Sequence, residues 1–212
     1  MDASQAQFES ALLSMDRLLG RSLLEAAASE GRGVMGMERL IGPVLGRIGD
    51  RWEAGDLSLT QVYMAGRICE DLLTDLCGSA ATARGGPRIA VGVLLDHHQL
   101  GKRIVIAALR SGGFEVLDYG HGQGPEDLAA RALRDQVAIL MVSTLMLSSA
   151  LQVKTLRQAL GEGPDRPRLV VGGAPFRLEE GLWREVGADA TGRSGLDAVT
   201  IAQRILEESC AR

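Results

Sequence analysis

The chain has 212 residues, of which 46% are apolar but only 3% aromatic, and a formal net charge of −4. That is enough apolar material for a core of Leu, Ile, Val, Ala and Met, in one domain or two small ones. No dense Lys/Arg run supplies the basic face that phosphate neutralisation needs, which argues against a nucleic-acid-binding protein. The apolar runs near 89–95 and 137–142 are too short to cross a bilayer, which argues against a membrane protein. The N-terminal MDASQAQFES lacks a basic stretch followed by an apolar one, so no secretory leader is expected and the cytoplasm is the expected compartment. Cys69, Cys77 and Cys210 are odd in number and widely spaced, fitting neither a disulfide framework nor a CxxC zinc pattern. Cys69 and Cys77 read as small buried hydrophobes on a helix.

In chain order, Phe8, Leu12, Leu13, Met15, Leu18 and Leu19 recur at spacings of three and four, which predicts a first helix. Leu23, Leu24 and Ala27 continue a second, ending at Gly31. Met37, Leu40, Ile41, Val44, Leu45, Ile48 and Trp52 form the apolar face of a third, which Gly55 stops. Ser58 followed three residues later by Gln61 predicts a capping box opening a fourth helix, to about Leu76. Four helices with short loops predict a small antiparallel bundle over 1–80. The segment GSAATARGGP, 78–87, reads as a flexible linker and plausible hinge, and a second domain is expected over 88–212.

In that second part strand-like and helix-like segments alternate. Strands are predicted at 88–95, 114–118, 137–143, 168–171 and 190–191. Helices are predicted at 101–111, 126–135, 149–160, 178–186 and 196–210. Near-continuous apolar strands separated by helices predict an α/β fold, a doubly wound five-stranded parallel sheet of the flavodoxin or Rossmann-like kind. Ligands of such sheets sit at the carboxyl ends of the strands, so the residues following each strand are the ones to inspect.

After the first strand comes Asp96-His97-His98-Gln99-Leu100-Gly101. An imidazole on such a loop can reach a metal, while a carboxylate two residues earlier accepts its other N–H and fixes the tautomer. The glycine admits close backbone approach of a bulky ligand. The third strand ends in Ser143-Thr144-Leu145 and the fourth in Gly172-Gly173, which clears side chains from the same rim. Separately, each has a bland reading as a polar loop or turn, but the three occur together and in order.

The series DxHxxG, SxL, GG resembles the fingerprint of the cobalamin-binding domain of corrinoid proteins and cobalamin-dependent methyltransferases. The likeness extends to LGKRIVIAALRSGGFEVLDYG, VVGGAPF and VGADATGR, and IGDRWEAGDLS resembles the helical cap that precedes this domain in methyl-carrying corrinoid proteins. It spans about residues 8 to 208.

The resemblance implies cobalamin as cofactor, with methylcobalamin in turnover. His98 would be the lower axial ligand to cobalt, in place of the cofactor's own base (base-off, His-on), with His97 a minor rival. Asp96 and Ser149 would complete a hydrogen-bonded relay, Ser148 being the rival hydroxyl. Gly101, Ser143, Leu145, Gly172 and Gly173 would line the slot for the nucleotide tail. Cobalamin light sensors carry a Glu-His pair after the cap tryptophan; Val62-Tyr63 stands there, so an upper histidine ligand is missing. Trp52, Tyr63 and Met64 would shield the upper face instead, a role for which bundle-core packing is the competing reading of Trp52 and Met64. His121, after the second strand, reads as an exposed loop histidine.

The implied function is a corrinoid carrier subunit that shuttles a methyl group between methyltransferase proteins for donor and acceptor. The same reading admits a reductive activator and a second copy of the chain, in a homodimer, as further partners. Whether the chain is itself an enzyme is undecided. The alternatives are a cobalamin-dependent, light-responsive regulatory sensor without its own DNA-binding domain, and a storage or delivery protein.

Overall fold

The computed structural model describes residues 2–31, 33–77, 86–163 and 165–210, without the side chains of residues 209 and 210. The chain divides into two compact units, Met1–Ser79 and Ala80–Arg212. Of the 78–87 segment read as a linker, only Gly86 and Pro87 lie within the described residues, and the side chain of Cys210 lies outside them.

The first unit contains helices α1 (Ala3–Leu13), α2 (Arg17–Glu30), α3 (Val34–Glu53) and α4 (Leu59–Cys77). The single helix expected through Leu19 is two. Met15 takes a left-handed φ of 59°, and Asp16 starts a new helix by accepting the backbone N–H of Leu19 at 3.0 Å. The apolar spacing runs on across this break, but Met15 and Leu18 are exposed while Phe8, Leu12 and Leu24 are buried. The capping box at the start of α4 is formed reciprocally: Ser58 N–H donates to Gln61 Oε1 at 2.9 Å, and Gln61 N–H to Ser58 Oγ at 3.3 Å. Ile41, Val44 and Ile48 of α3 and Ile68, Leu72 and Leu73 of α4 are also buried in the unit's core. Glu9 of α1 binds Arg47 Nε at 2.9 Å and Arg51 Nη1 at 2.8 Å, tying α1 to α3. Cys69 is fully buried, and burial, helped by the neighbouring Glu70 carboxylate, pushes its thiol up to about 12. It is therefore chemically inert at neutral pH.

The second unit runs β1 (Ile89–Val93), α5 (Leu100–Ser111), β2 (Val116–Asp118), α6 (Pro125–Arg134), β3 (Ile139–Ser143), α7 (Leu147–Leu151), α8 (Val153–Leu160), β4 (Arg168–Gly172), α9 (Ala174–Leu178), α10 (Leu182–Glu185), β5 (Ala190–Gly192) and α11 (Gly195–Cys210). The five strands form one parallel sheet in the order β2-β1-β3-β4-β5. All of β1 is buried, as befits a strand covered on both faces. Helix α6 packs with α8, and α5 with α11. Two expected helices are each divided: 149–160 becomes α7 and α8 about Gln152, and the stretch near 178–186 becomes α9 and α10, separated by Glu179–Gly181. No described helix is long and apolar enough to cross a membrane.

The strand order puts β1 between β2 and β3, so the chain leaves β1 towards one side and later returns to the other. This is the topological switch point, where open parallel sheets bind ligands in the crevice at the carboxyl ends of the strands, here β1 and β3. The register sets Val93, Ser143 and Gly172 side by side at that end. The opposite end is stapled by charge. Arg166 binds Asp189 through two bonds of 2.7 Å, and Leu169 N–H adds a third of 2.7 Å. Burial opposes ionisation of Asp189, but Arg166, the Leu169 N–H and Arg168 together hold its carboxyl below the ordinary value of 3.8.

Because the folded-state value is depressed, this stabilisation is present above the unfolded-state value and is lost as pH falls through the folded one. Asp189→Asn is expected to cost about 2 kcal/mol at neutral pH. Urea unfolding should show that deficit at pH 7, with variant and wild type converging in acid below the ordinary aspartate range.

Candidate functional site

The loop between β1 and α5 begins with an unusual backbone. Leu95 takes φ 55°, rare for a residue with a branched side chain. This turns Asp96 inward, where it is buried although it follows directly on an exposed leucine. Its Oδ1 accepts the backbone N–H of His98 at 3.0 Å, and its Oδ2 accepts that of Leu145 at 2.9 Å. One carboxylate therefore joins the loop after β1 to the loop after β3, across the switch point. Two N–H donors compensate its loss of water.

His98 stands out from this anchor, its side chain 58% exposed, with Nδ1 3.4 Å from Asp96 Oδ1. That distance is longer than a formed hydrogen bond. Nδ1 faces the carboxylate, so Nε2, across the ring, is the nitrogen free for a metal. His97 is also exposed, but its Nδ1 lies 2.9 Å from Nδ1 of His121. His121 is thus a surface residue, as its loop position suggested, yet it has a specific partner.

Glycines shape the rim. A Cβ on Gly101, at the start of α5, would lie 3.1 Å from Ser143 Oγ, so this helix approaches the end of β3 closely. Gly173 takes φ 121°, and a Cβ there would meet the carbonyl oxygen of Thr144 at 1.7 Å. Only glycine can stand at that position. Gly172 has the backbone of Gly192 at 3.0 Å from its hypothetical Cβ. Around them Leu95, Leu145, Met146 and Leu147 are exposed, an apolar margin on a polar anchor. Thr144, itself buried, has a hydroxyl oxygen with no hydrogen-bond partner among the described residues. An unpaired buried hydroxyl, a glycine-cleared rim, an apolar margin and one outward imidazole fit a large, mostly apolar ligand that carries a metal.

Of the residues singled out in sequence, Asp96, His98 and Leu145 come together directly, Gly101 meets Ser143, and Gly173 meets Thr144. Ser149 is buried in α7 while Ser148 is exposed; the hydrogen bonds of the Asp96 carboxylate among the described residues go to the backbone N–H groups of His98 and Leu145, not to Ser149. Trp52, Tyr63 and Met64 lie in the helical unit, the first two exposed and Met64 half-buried. Lys102 is a further residue of the site's frame that the motif pattern does not mark. It is buried beside Gly101, and its Nζ binds Asp118 Oδ1 at 2.6 Å, fixing α5 to the end of β2. A lysine directly after the motif glycine was the available signal; its burial was not legible.

Residues 88–200 match the family model for a B12 binding domain, and residues 5–76 match a second model of the same description. The first spans more than half of the sequence. The chain belongs to the B12-binding family, and its cofactor is cobalamin. It is 30% identical over 177 residues to monomethylamine corrinoid protein 1 of Methanosarcina mazei, an alignment that takes in 79% of this chain and 80% of the relative. Among solved structures it resembles the monomethylamine corrinoid protein of Methanosarcina barkeri, with a TM-score of 0.79 at 24% identity over 93% of this chain and 96% of that one. It also resembles the methanol:cobalamin methyltransferase complex of the same organism, with a TM-score of 0.54 at 21% identity over 97% of this chain and 80% of that one. At these identities the two likenesses show the fold, a helical unit before a parallel sheet.

Gly173→Ala should destabilise the protein by roughly 3 kcal/mol, since the position combines a glycine-only backbone with a contact no side chain can relieve. Gly101→Ala, which needs only a small shift of the Ser143 hydroxyl, should cost far less. Thermal unfolding of the two variants side by side checks this ordering.

Proposed function

We propose that this chain is a corrinoid protein that carries a methyl group between partner methyltransferases, with His98 as the lower axial ligand to cobalt in the base-off, His-on state. The observation that carries the reading is the Asp96 carboxylate, buried and locked by two backbone N–H groups directly beneath an exposed imidazole at the switch point. A carboxylate placed this way orients a ligating histidine, holds its Nδ1 proton and raises the basicity of Nε2.

Cobalamin supplies the metal centre at which a methyl group is taken up and released. The protein holds, orients and shields it. Asp96 would accept a hydrogen bond from His98 Nδ1–H, and Ser149, buried in α7 where Ser148 is exposed, is the hydroxyl assigned to complete the relay. Gly101, Ser143, Leu145, Gly172 and Gly173 line the slot assigned to the nucleotide tail, and Thr144 offers its unpaired hydroxyl alongside them. On the helical unit, Trp52 and Tyr63 present exposed aromatic surface suited to covering a planar ligand, and Met64 follows Tyr63 in sequence. A carrier of this kind requires methyltransferase partners for donor and acceptor, and monomethylamine corrinoid proteins are among the relatives. A reductive partner that restores the working oxidation state completes the set.

Absorption spectra of the chain reconstituted with hydroxocobalamin and methylcobalamin test the assignment. Wild type should give a base-off, His-on spectrum, and His98→Ala should lose the histidine-ligated form. Failure of the wild type to retain cobalamin, or a spectrum indifferent to the substitution, contradicts the reading.

A further inference from the structure

Two adjacent histidines, His97 and His98, stand exposed on one loop, and chemistry alone does not say which of them a metal takes. Both are imidazoles of the same loop, one residue apart. The structure treats them differently. His98 has its Nδ1 turned to the buried Asp96 carboxylate. His97 has its Nδ1 2.9 Å from Nδ1 of His121, with the two rings edge to face at 77° and 5.1 Å between centroids. In such a pair one ring donates Nδ1–H and the other accepts, so each satisfies the other.

The partner is itself firmly held. The loop after β2 is stitched onto the loop after β1: Val93 N–H donates to Gly120 O at 3.0 Å, Gln123 N–H to Val93 O at 3.1 Å, Leu95 N–H to Gln123 O at 3.1 Å and Gly122 N–H to Asp96 O at 2.8 Å. Gln123 Nε2 also donates to the carbonyl of His121 at 2.9 Å. Gly122, at φ 65°, lies close against the His97 ring; a Cβ there would stand 2.9 Å from its Cε1. His97 is thus clasped between the imidazole of His121 and a glycine that no larger residue could replace without moving it.

We propose that His121 is a positioning residue that withholds His97 from cobalt and thereby leaves His98 as the sole protein ligand. The inference rests on cobalt ligation by this loop, as assigned above. Engagement at Nδ1 leaves Nε2 open in both rings; what separates them is where each ring is held, His97 against His121 and Gly122 of the loop after β2, His98 beside Asp96, which is bonded to the loop after β3. His121 selects between two chemically identical candidates and does not itself touch the cofactor.

Electron paramagnetic resonance of the full chain, labelled with 15N-histidine, loaded with cobalamin and reduced to the Co(II) state, tests it. A protein imidazole on cobalt is read from the nitrogen splitting, which changes pattern with the label, whereas the cofactor's own base does not respond. Wild type should show the label-sensitive splitting and His98→Ala should lose it. Adding His121→Ala to His98→Ala should restore it, because His97 is released, and adding His97→Ala to that pair should abolish it again. If the splitting persists in His98→Ala and disappears on adding His97→Ala, or if His121→Ala restores nothing, the selecting role of His121 is overturned while the site stands. A wild type without label-sensitive splitting overturns the ligation reading, and this inference with it. His121 is exposed and its substitution leaves the backbone bonds of Gly122 and Gln123 in place, so these variants keep the loop's frame.

Discussion

One buried carboxylate organises the functional end of the sheet. Asp96 takes the backbone N–H of His98 on one oxygen and that of Leu145 on the other. The first bond curls the loop after β1 so that the next imidazole projects outward. The second pins that loop to the end of β3, across the crevice that the strand order creates. Removing the carboxylate would leave two N–H groups without partners and the loop without a reason to hold its shape. The left-handed Leu95, the inward Asp96 and the outward His98 are consequences of one arrangement, and the strained backbone is paid for by the two charge-assisted bonds it makes possible.

The two ends of the sheet divide the labour. At the amino ends of β4 and β5, Arg166, Arg168 and Asp189 form a compact, partly buried charge cluster. At the carboxyl ends, glycines replace side chains, apolar residues stay exposed and a buried threonine hydroxyl lacks a partner. Such features are locally unfavourable in a free-standing domain, and their concentration at one end of one sheet marks where a ligand compensates them. Lys102 and Asp118 extend the scaffold on the β2 side, so the crevice is framed from both neighbours of β1.

Much of this was legible in the sequence because the signals were local. Alternation of apolar strands with helices specified a parallel sheet, and Ser58 with Gln61 announced the capping box that forms. The three motif segments could be ordered along one rim, since parallel strands put all their carboxyl ends on the same side. What stayed hidden depends on three-dimensional neighbours. The break at Met15 and Asp16 was masked because apolar spacing continues through it. Ser148 and Ser149 are chemically alike, and only burial separates them. The pairing of His97 with His121 joins residues 24 apart in sequence and follows from β1 lying beside β2, which no spacing rule announces.

The central claim is that Asp96 and His98 together hold cobalt from below. A crystal structure of the cobalamin-loaded chain tests it most directly. The account predicts His98 Nε2 bonded to cobalt, Nδ1 drawn within hydrogen-bonding distance of Asp96 Oδ1, and the nucleotide tail in the slot beside Gly101, Ser143 and Gly173. Cobalt still ligated by the cofactor's own base, with His98 turned to solvent, would contradict it.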